Sequence, residues 1–448
     1  MLKKMIFIFL ILLCSIPSKV MFAASSPFII DAAIGGNIST ALDSEGKVWL
    51  WGNQFLTPIR KEIPESIIQV AAGGSHVLAL SSGGTVWVLG KNMNGQLGLG
   101  NTDYVFHDVF TQVPGITGIK KIAASNERSF ALDNNGNVWS WGFSSNNLLG
   151  HGTGIMTYTS PTQVKDIPSV KQIVSSQNWT YVLTSHEDLL AWGNHSQGYS
   201  MYLITDVDTV VSGVSHSFAI KKDHTLWGWG SGYYGELGNS IRVDEPLPIL
   251  IPAQTNLNQI AAGNASSFIV KSDHTVWSWG LNSIGQLGFG FSDYNLHLSP
   301  QIIQNFTGVD RLIAGENNTL AIKLDGTLWT WGRNVMGQLG LGGQISFNQD
   351  IMSPTQIIFT TSSIPTSPTP ETNCGKTDNP FEIPENCTSP SEEPSNGSSP
   401  TEEKGGDFLL LAGFNRYPDF LDIIANITEW VYKAELEITG YLNISNHW

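Results

Sequence analysis

Residues 71–98 read AAGGSHVLALSSGGTVWVLGKNMNGQLG, and this stretch contains every element of a unit that recurs along the chain. A run of small residues leads into an apolar strand, and the Gly-rich turn at 81–84 has the chemistry of a β-hairpin. The next strand ends in the motif Trp-x-Trp-Gly, here with Leu89 in place of the second Trp. The two aromatic positions are two residues apart, so both side chains project from the same face of the strand.

The Trp-x-Trp-Gly motif occurs seven times between residues 28 and 359. Several short strands per unit, without helical periodicity, describe a blade of antiparallel sheet, and a blade buries both faces only against neighbouring blades. The repeats therefore predict an all-β, seven-bladed β-propeller with four antiparallel strands per blade. We expect the motif tryptophans to form its core; they are Trp49, Trp51, Trp87, Trp139, Trp141, Trp192, Trp227, Trp229, Trp277, Trp279, Trp329 and Trp331.

One strand bears on how the ring closes. Most units end in a strand that begins near a Pro, as at 160–164, but the first unit has no such strand in front of it. An additional copy follows the last unit at 353–358. We expect this C-terminal strand to pair with the first blade and so to remove two exposed sheet edges.

The string Ala-Gly-x-x-His-x-x-Ala-Leu, a turn, Val-Trp-x-Trp-Gly and then Asn-x-x-Gly-Gln-Leu-Gly resembles the regulator-of-chromosome-condensation repeat, here in a secreted bacterial setting. The resemblance covers roughly three quarters of the chain. It implies a seven-bladed propeller, and it implies three possible activities: guanine-nucleotide exchange on a small GTPase, inhibition of a β-lactamase, or action on a host GTPase as an injected effector. The acidity and the N-terminal segment of this chain depart from the nuclear exchange factor.

The two ends of the chain differ from the repeats. Lys3 and Lys4 precede an apolar run at 5–14 and small residues at 23–25, so residues 1–24 are predicted to be a secretory signal peptide, with no transmembrane span in the mature chain. Residues 360–406 are rich in Pro, Ser, Thr and Glu, which is typical of a disordered linker. Apolar residues at helical spacing within 407–448 favour a short amphipathic helix.

Cysteine usage agrees with export. Cys374 and Cys387 remain after removal of the signal peptide, and in an oxidising compartment the pair can close a small disulfide loop. Two exposed free thiols are the alternative. Since no Cys/His zinc spacing occurs, we expect no metal and no cofactor.

The charge of the chain bears on its partners. A net charge of −15 disfavours binding to nucleic acid, because that affinity depends on Lys and Arg neutralising phosphates. Catalytic constellations are also weak. His76 and His216 occupy the histidine of the repeat and are expected to make structural hydrogen bonds, whereas Asp223-His224 and Asp273-His274 fall between strands, in hairpin turns. An enzyme would instead need charged residues converging in the central channel.

The variable loops after each motif remain as candidate binding residues, since function commonly lies on loops displayed by a rigid scaffold. They carry aromatic side chains, and the candidates are Tyr104, Phe106, Tyr158, Tyr199, Tyr233, Tyr234 and Tyr294. The alternative for each ring is packing within its own loop. We predict a monomeric, secreted or cell-surface propeller that binds another protein through one rim and is not an enzyme.

Overall fold

A computed structural model describes residues 26–359, except 54, 153, 194–200, 253–255 and 343–348. These residues form seven four-stranded antiparallel sheets, arranged as the blades of a β-propeller. A short 3-10 turn lies at Ser145–Asn147. The expected fold class is confirmed: a chain of all-β repeats, each too small to bury both faces alone, stacks its blades around an axis.

The first four blades follow one another along the chain without exchanging strands. Blade 1 contains β1 (Ile29–Ile34), β2 (Ile38–Asp43), β3 (Val48–Gly52) and β4 (Phe55–Lys61). Blade 2 contains β5 (Ile67–Ala72), β6 (His76–Ser81), β7 (Val86–Asn92) and β8 (Asp103–Gln112). Blade 3 contains β9 (Ile119–Ser125), β10 (Arg128–Asp133), β11 (Val138–Phe143) and β12 (Thr157–Gln163), and blade 4 contains β13 (Val170–Ser175), β14 (Trp179–Thr184), β15 (Leu189–Gly193) and β16 (Met201–Ile204).

The last three blades have the same order. Blade 5 contains β17 (Val207–Ser212), β18 (His216–Lys221), β19 (Leu226–Gly230) and β20 (Glu245–Leu250). Blade 6 contains β21 (Leu257–Ala262), β22 (Ser266–Lys271), β23 (Val276–Leu281) and β24 (Leu296–Ile302), and blade 7 contains β25 (Val309–Ala314), β26 (Asn318–Lys323), β27 (Leu328–Gly332) and β28 (Ile351–Gln356). The first strands of successive blades contact one another, so they line the central channel.

The expected closure by strand exchange is wrong. β28 pairs with β27 of its own blade, and blade 1 has its own fourth strand, β4. That strand carries Pro58 but follows Gly52 almost directly, because the first unit lacks the Gly-Gln-Leu-Gly loop. The Pro-containing strand of the first unit therefore comes much sooner after the motif glycine than it does in the long units.

Side-chain contacts and a backbone hydrogen bond from the Ile29 N–H to the Gly326 carbonyl at 2.9 Å, rather than a shared strand, join blade 7 to blade 1. The ring of Phe359 packs edge-on against Trp49 at 5.1 Å and against Trp51 at 6.3 Å between ring centroids. Arg311 of blade 7 makes an ion pair with Asp31 of blade 1 at 2.6 Å. These contacts close the ring through a hydrophobic cluster that contains residues of both blades.

In five of the seven blades the second Trp of the motif makes a hydrogen bond to the loop of the preceding blade. Its indole Nε1 donates a hydrogen bond of 2.8–3.1 Å to a backbone carbonyl in the Gly-x-Leu-Gly loop, or its equivalent, of that blade. The pairs are Trp51 with Gln338, Trp141 with Gln96, Trp192 with Leu148, Trp279 with Glu236 and Trp331 with Gln286. The first Trp of the motif is half-buried in most blades.

Blades 2 and 5 do not make this hydrogen bond to a loop carbonyl. Each of them follows a short unit, blade 1 or blade 4. Blade 1 has no such loop, and blade 2 accordingly carries Leu89, which has no donor to satisfy, where other blades carry Trp. Blade 4 is the other short unit, and there the Tyr181 hydroxyl accepts the hydrogen bond of Trp229 at 3.1 Å. Burial raises the pKa of Tyr181 to about 12, so its hydroxyl stays neutral. Where the preceding blade is a short unit, the residue at the second Trp position therefore either has no donor, as Leu89, or uses another acceptor, as Trp229 does.

Both the backbone conformation and the contact with the indole of Trp279 require glycine at position 238. Its φ is +68°, and an added Cβ would lie 2.6 Å from Nε1 of Trp279. We expect Gly238→Ala to lower the free energy of unfolding by about 2–4 kcal/mol, because backbone strain adds to displacement of the indole. Gly115→Ala is the matched control, with φ +81° and nothing within 4 Å of the added Cβ. Denaturant unfolding should give a clearly smaller loss for Gly115→Ala; equal losses would show that the indole contact is not tight.

Candidate binding face

Antiparallel pairing places the loops of each blade on two opposite faces. The connections from first to second strand and from third to fourth strand lie on one face, which we call the loop face. The hairpin turns between second and third strands lie on the other face, the turn face. The channel mouth, the Gly-x-Leu-Gly loops and the variable loops therefore share the loop face.

The turn face contains the two Asp-His pairs. Asp223 and Asp273 each accept hydrogen bonds from the backbone N–H and the hydroxyl of the Thr two residues later, which closes the hairpin. These side-chain hydrogen bonds lower the pKa of both carboxyls. His224 and His274 adopt a positive φ in the same turns. The arrangement is turn chemistry, and in neither turn does a hydrogen bond join the Asp to the following His.

His76 and His216 make hydrogen bonds across blade junctions, which we call seams. His76 Nε2 lies 2.8 Å from the hydroxyl of Ser129 in the next blade, and that hydroxyl donates to the Gln96 carbonyl at 2.7 Å. Because the hydroxyl donates its hydrogen, the histidine donates from Nε2. His216 and Ser267 repeat the arrangement at 2.7 Å. Burial lowers the pKa of both histidines to about 3, which leaves them neutral.

The mouth of the channel is a small concavity with little charge. It has a volume of about 110 Å³ and is lined by residues from all seven blades, mostly Gly, Ala and Ser at the ends of the first strands. Glu316 is the one charged side chain among the described residues that line it. A converging set of charged groups, which an enzyme in the channel would need, is not found among those residues.

The structure separates the predicted aromatic residues into three groups. Tyr104 and Phe106 lie on β8 of blade 2, where the Tyr104 side chain is 88% exposed. Tyr158 is the second residue of β12 in blade 3 and packs on His151 at 4.3 Å between ring centroids. For Tyr158 the alternative, packing against its own loop, describes the contact with His151. Tyr104 and Phe106 do not lie near blades 5 and 6, because blade 2 is three blades away from each in the ring.

The third group lies on blades 5 and 6. Tyr233 and Tyr234 are 57% and 40% exposed, and their rings meet edge-to-face at 5.0 Å. Arg242 stacks on Tyr233 with its guanidinium carbon 4.9 Å from the ring centroid, and its Nε donates to the Tyr233 carbonyl at 3.0 Å. Tyr294, 88% exposed, belongs to the loop of blade 6. Gly235 packs against Leu298 on β24, which brings the loop of blade 5 against the fourth strand of blade 6.

Sequence reasoning missed a second concavity on the loop face, at the seam between blades 7 and 1. It has a volume of about 160 Å³, and its lining includes Asn37, Glu316, Asn318, Arg333 and Met336. None of these belongs to a repeated aromatic or catalytic pattern. Asn318 occupies the repeat position of His76, so an alignment of the seven units could have marked it as a departure.

Several predictions fall outside the described residues: the signal peptide at 1–24, Tyr199, the linker at 360–406, the disulfide Cys374–Cys387 and the helix within 407–448. In the described ranges, no helix has the length and apolarity needed to span a bilayer. No three His, Cys, Asp or Glu side chains of the described chain converge in a way that could hold a metal ion.

The repeat model described as regulator of chromosome condensation (RCC1) repeat matches residues 83–132, 135–183, 223–270 and 325–367. A second model of the same repeat matches residues 67–96, 119–147, 207–236 and 258–286. The two models together cover more than half of the chain. The matches of the first model at 83–132, 135–183 and 223–270 run from one blade into the next, whereas each match of the second model lies within one blade.

Relatives with curated descriptions share this repeat. The ultraviolet-B receptor UVR8 of Arabidopsis thaliana is 28% identical over 292 residues, which is 60% of this chain and 65% of the receptor. The E3 ubiquitin-protein ligase HERC2 of Homo sapiens is 25% identical over 277 residues, 56% of this chain but 6% of the ligase. Protein pim1 of Schizosaccharomyces pombe is 26% identical over 376 residues, 73% of this chain and 63% of pim1. The chain thus spans at most 65% of the length of these relatives.

Two solved structures have the same fold. Yeast RCC1 (Prp20) bound to Kap60 superposes with a TM-score of 0.62 at 23% identity, over 77% of this chain and 87% of that chain. Prp20p from Saccharomyces cerevisiae, described with its binding to Gsp1p and histones, gives 0.62 at 22% identity, over 76% and 88%. All these relatives are eukaryotic, so the likeness does not extend to the secreted bacterial type that we expected. The chain belongs to the family of propellers built from regulator of chromosome condensation (RCC1) repeats.

Proposed function

We propose that this propeller is a binding module, not an enzyme, and that it binds another protein through the loop face of blades 5 and 6. The relatives support a binding role in kind, since Prp20p binds Gsp1p and histones. We further propose that it acts as a monomer outside the cell or at its surface, as the N-terminal segment suggests. We assign it no cofactor and no nucleic-acid partner.

One observation carries the choice of surface: an exposed cluster of Tyr233, Tyr234 and Arg242 whose members are already held by one another. Tyr and Arg are the residue types most enriched among those that dominate binding energy at protein interfaces. Since the rings are fixed before binding, little side-chain entropy is lost when a partner covers them. Ile241 and Val243, both about half exposed, extend the apolar surface beside the cluster.

The test is capture of partners by the immobilised full chain from extracellular and host-cell protein fractions, followed by measurement of the Kd of the retained protein. We expect Tyr233→Ala/Tyr234→Ala to weaken binding by about tenfold to a hundredfold. Tyr104→Ala is the matched control, because Tyr104 is more exposed but lies on blade 2. It should bind like the wild type, and both variants should keep the wild-type Tm.

The outcomes separate the alternatives. A partner that the double Tyr variant still binds, or that Tyr104→Ala loses, would refute the assignment to blades 5 and 6. If the retained protein is a small GTPase, the exchange-factor alternative applies, and its nucleotide release can then be measured. A retained β-lactamase would indicate the inhibitor alternative. No residue of the described loop face by itself favours either activity.

A further inference from the structure

The loops that join first and second strands form a belt of hydrogen bonds around the channel mouth, and the belt is interrupted at one seam. Backbone hydrogen bonds link this loop of blade 1 to that of blade 2, 2 to 3, 5 to 6 and 6 to 7. Arg128 links blade 3 to blade 4, and Asn178 links blade 4 to blade 5. Between Glu316-Asn317 of blade 7 and residues 35–37 of blade 1, all of them described, no hydrogen bond is found.

A buried donor lies under this gap. Asn318 is 4% exposed, and its Nδ2 has no hydrogen-bond partner among the described residues. It stands at the first position of β26, where blades 2 and 5 have His76 and His216 reaching a Ser of the next blade. The matching Ser39 is present in blade 1 and donates to the Gln338 carbonyl at 3.0 Å. Asn318 is shorter than His and does not complete the arrangement, which leaves an unsatisfied amide and a cavity.

The cavity is lined by a cationic side chain, Arg333, as well as by Asn318. Arg333 lines it, is exposed and makes no ion pair with a described residue. Glu316 also lines it but lies toward the channel mouth, whose lining it shares, and it does not pair with Arg333. Val335 and Met336 supply an apolar wall. The volume of about 160 Å³ is well below the roughly 300–1,000 Å³ of typical small-molecule pockets, so the space suits one side chain or a molecule of that size.

We propose that the cavity at the blade 7–blade 1 seam binds a carboxylate, held between the guanidinium of Arg333 and Nδ2 of Asn318, with its methylene stem against Met336. A carboxylate is an acceptor-only group that can receive both donors, and its hydrogen bonds to a guanidinium are charge-assisted. Glu316 faces the other end of the ligand, where it accepts N–H donors and disfavours a second negative charge. This site is separate from the Tyr233–Tyr234 cluster and does not rest on the proposed function.

Binding at this place has a consequence for the whole fold. The seam joins the first and last blades, and a ligand that contacts both completes the belt of hydrogen bonds. A ligand that binds only the folded chain stabilises it by mass action. The carboxylate has two possible sources, an acidic residue within a polypeptide or a free small acid, and the size of the cavity accommodates either.

The experiment titrates the full chain with three probes, N-acetyl-glutamate amide, glutarate and the neutral isostere N-acetyl-glutamine amide, and follows Tm and heats of binding. We expect an acidic probe to raise Tm and to bind at least about tenfold more tightly than the glutamine analogue. Tighter binding of N-acetyl-glutamate amide than of glutarate assigns the site to an acidic residue of a polypeptide, and the reverse assigns it to a free acid. Equal binding of acidic and neutral probes would overturn the proposal.

Three variants locate the site. Arg333→Gln should weaken the acidic probe by at least about tenfold. Asn318→His introduces at this seam the residue that blades 2 and 5 have there. The histidine should fill the cavity and abolish binding, and it should raise Tm through a new hydrogen bond to Ser39. The raised Tm would show that the loss of binding is not caused by a loss of folding. Glu316→Gln should bind the acidic probe as well as the wild type or better. Wild-type binding by Arg333→Gln or Asn318→His, or loss in Glu316→Gln, would contradict the assignment.

Discussion

We expect Trp141→Ala to lower the free energy of unfolding by about 3–5 kcal/mol, the range of large aromatic truncations in a packed core. The Trp141 side chain is fully buried, and its Nε1 donates to the Gln96 carbonyl of blade 2 at 2.9 Å. Gly98 of the same loop approaches the indole so closely that an added Cβ would lie 2.8 Å from Nε1. Truncation thus leaves a cavity and unfastens the loop of the preceding blade.

Trp139→Ala is the matched control, because it removes the same side chain two residues earlier in the same motif. Trp139 is half-buried, and its Nε1 donates to Asp133 within its own blade at 3.3 Å. We expect a loss of about 1–2 kcal/mol, since less apolar area is buried and no hydrogen bond across a seam is lost. Denaturant unfolding at neutral pH measures both. Equal losses would show that the two tryptophans of the motif have the same role.

A third variant, Trp141→Leu, keeps part of the buried apolar volume and removes the indole donor. Trp141→Leu reproduces at blade 3 what blade 2 has naturally at Leu89, where the preceding blade offers no carbonyl to the indole. In blade 3 the Gln96 carbonyl keeps a hydrogen bond from Ser129 at 2.7 Å after the substitution. We therefore attribute most of the expected loss to packing. We expect Leu to be tolerated less well at position 141, where the loop of blade 2 packs on the side chain, than at position 89.

The fold followed from the sequence because its decisive feature is local and repeated. Each Trp-x-Trp-Gly lies on a third strand, and seven of them specify seven blades. The closure was not predictable in the same way. In blade 1 the strand around Pro58 follows its Gly52 without the usual loop, so the pattern that identified fourth strands elsewhere did not apply. Strand 353–358 then looked unpaired, although its partner was the preceding strand of the same blade.

The loop face was predicted only in part, because residue type does not fix burial. Tyr158 and Tyr233 both follow a motif glycine, yet Tyr158 packs on His151 while Tyr233 is held outward by Arg242. Which neighbour meets each ring depends on the adjacent blade. Asn318 could not be recognised from residue type either, because it stands at the repeat position of His76 and is also polar. Only the structure shows that its shorter side chain leaves the amide Nδ2 without a hydrogen-bond partner among the described residues.

Acid should weaken the propeller through its two buried histidines. His76 and His216 are neutral in the folded state, because burial lowers the pKa of each to about 3 from the unfolded value of 6.5. Between these values the unfolded chain binds a proton at each site and the folded chain does not. The stabilisation is therefore fully present above pH 6.5 and is lost as the pH falls toward 3. The slope is about 1.4 kcal/mol per pH unit for each histidine.

We expect the free energy of unfolding to fall by about 4–5 kcal/mol between pH 6.5 and 4.5 from these two residues together. Asp223 and Asp273, whose pKa values are lowered by hydrogen bonds from Thr225 and Thr275, contribute a further loss only at lower pH, near and below their unfolded value of 3.8. The window above pH 4.5 consequently reports on histidine. Burial also lowers the pKa of His151, which is present in every variant and cancels in the comparison.

Replacement by Ser isolates the effect, because Ser266 occupies the same position in blade 6. We expect His76→Ser/His216→Ser to flatten the dependence of unfolding free energy on pH in this window, and each single variant to remove about half of the slope. The double variant loses two seam hydrogen bonds at every pH, so its absolute stability falls, and the slope alone is diagnostic. A slope unchanged from the wild type would mean that the two histidines bind protons over the same pH range in the folded and unfolded states, so that burial does not lower their pKa. Nε2 of each ring would still donate to Ser129 or Ser267, but from an imidazolium.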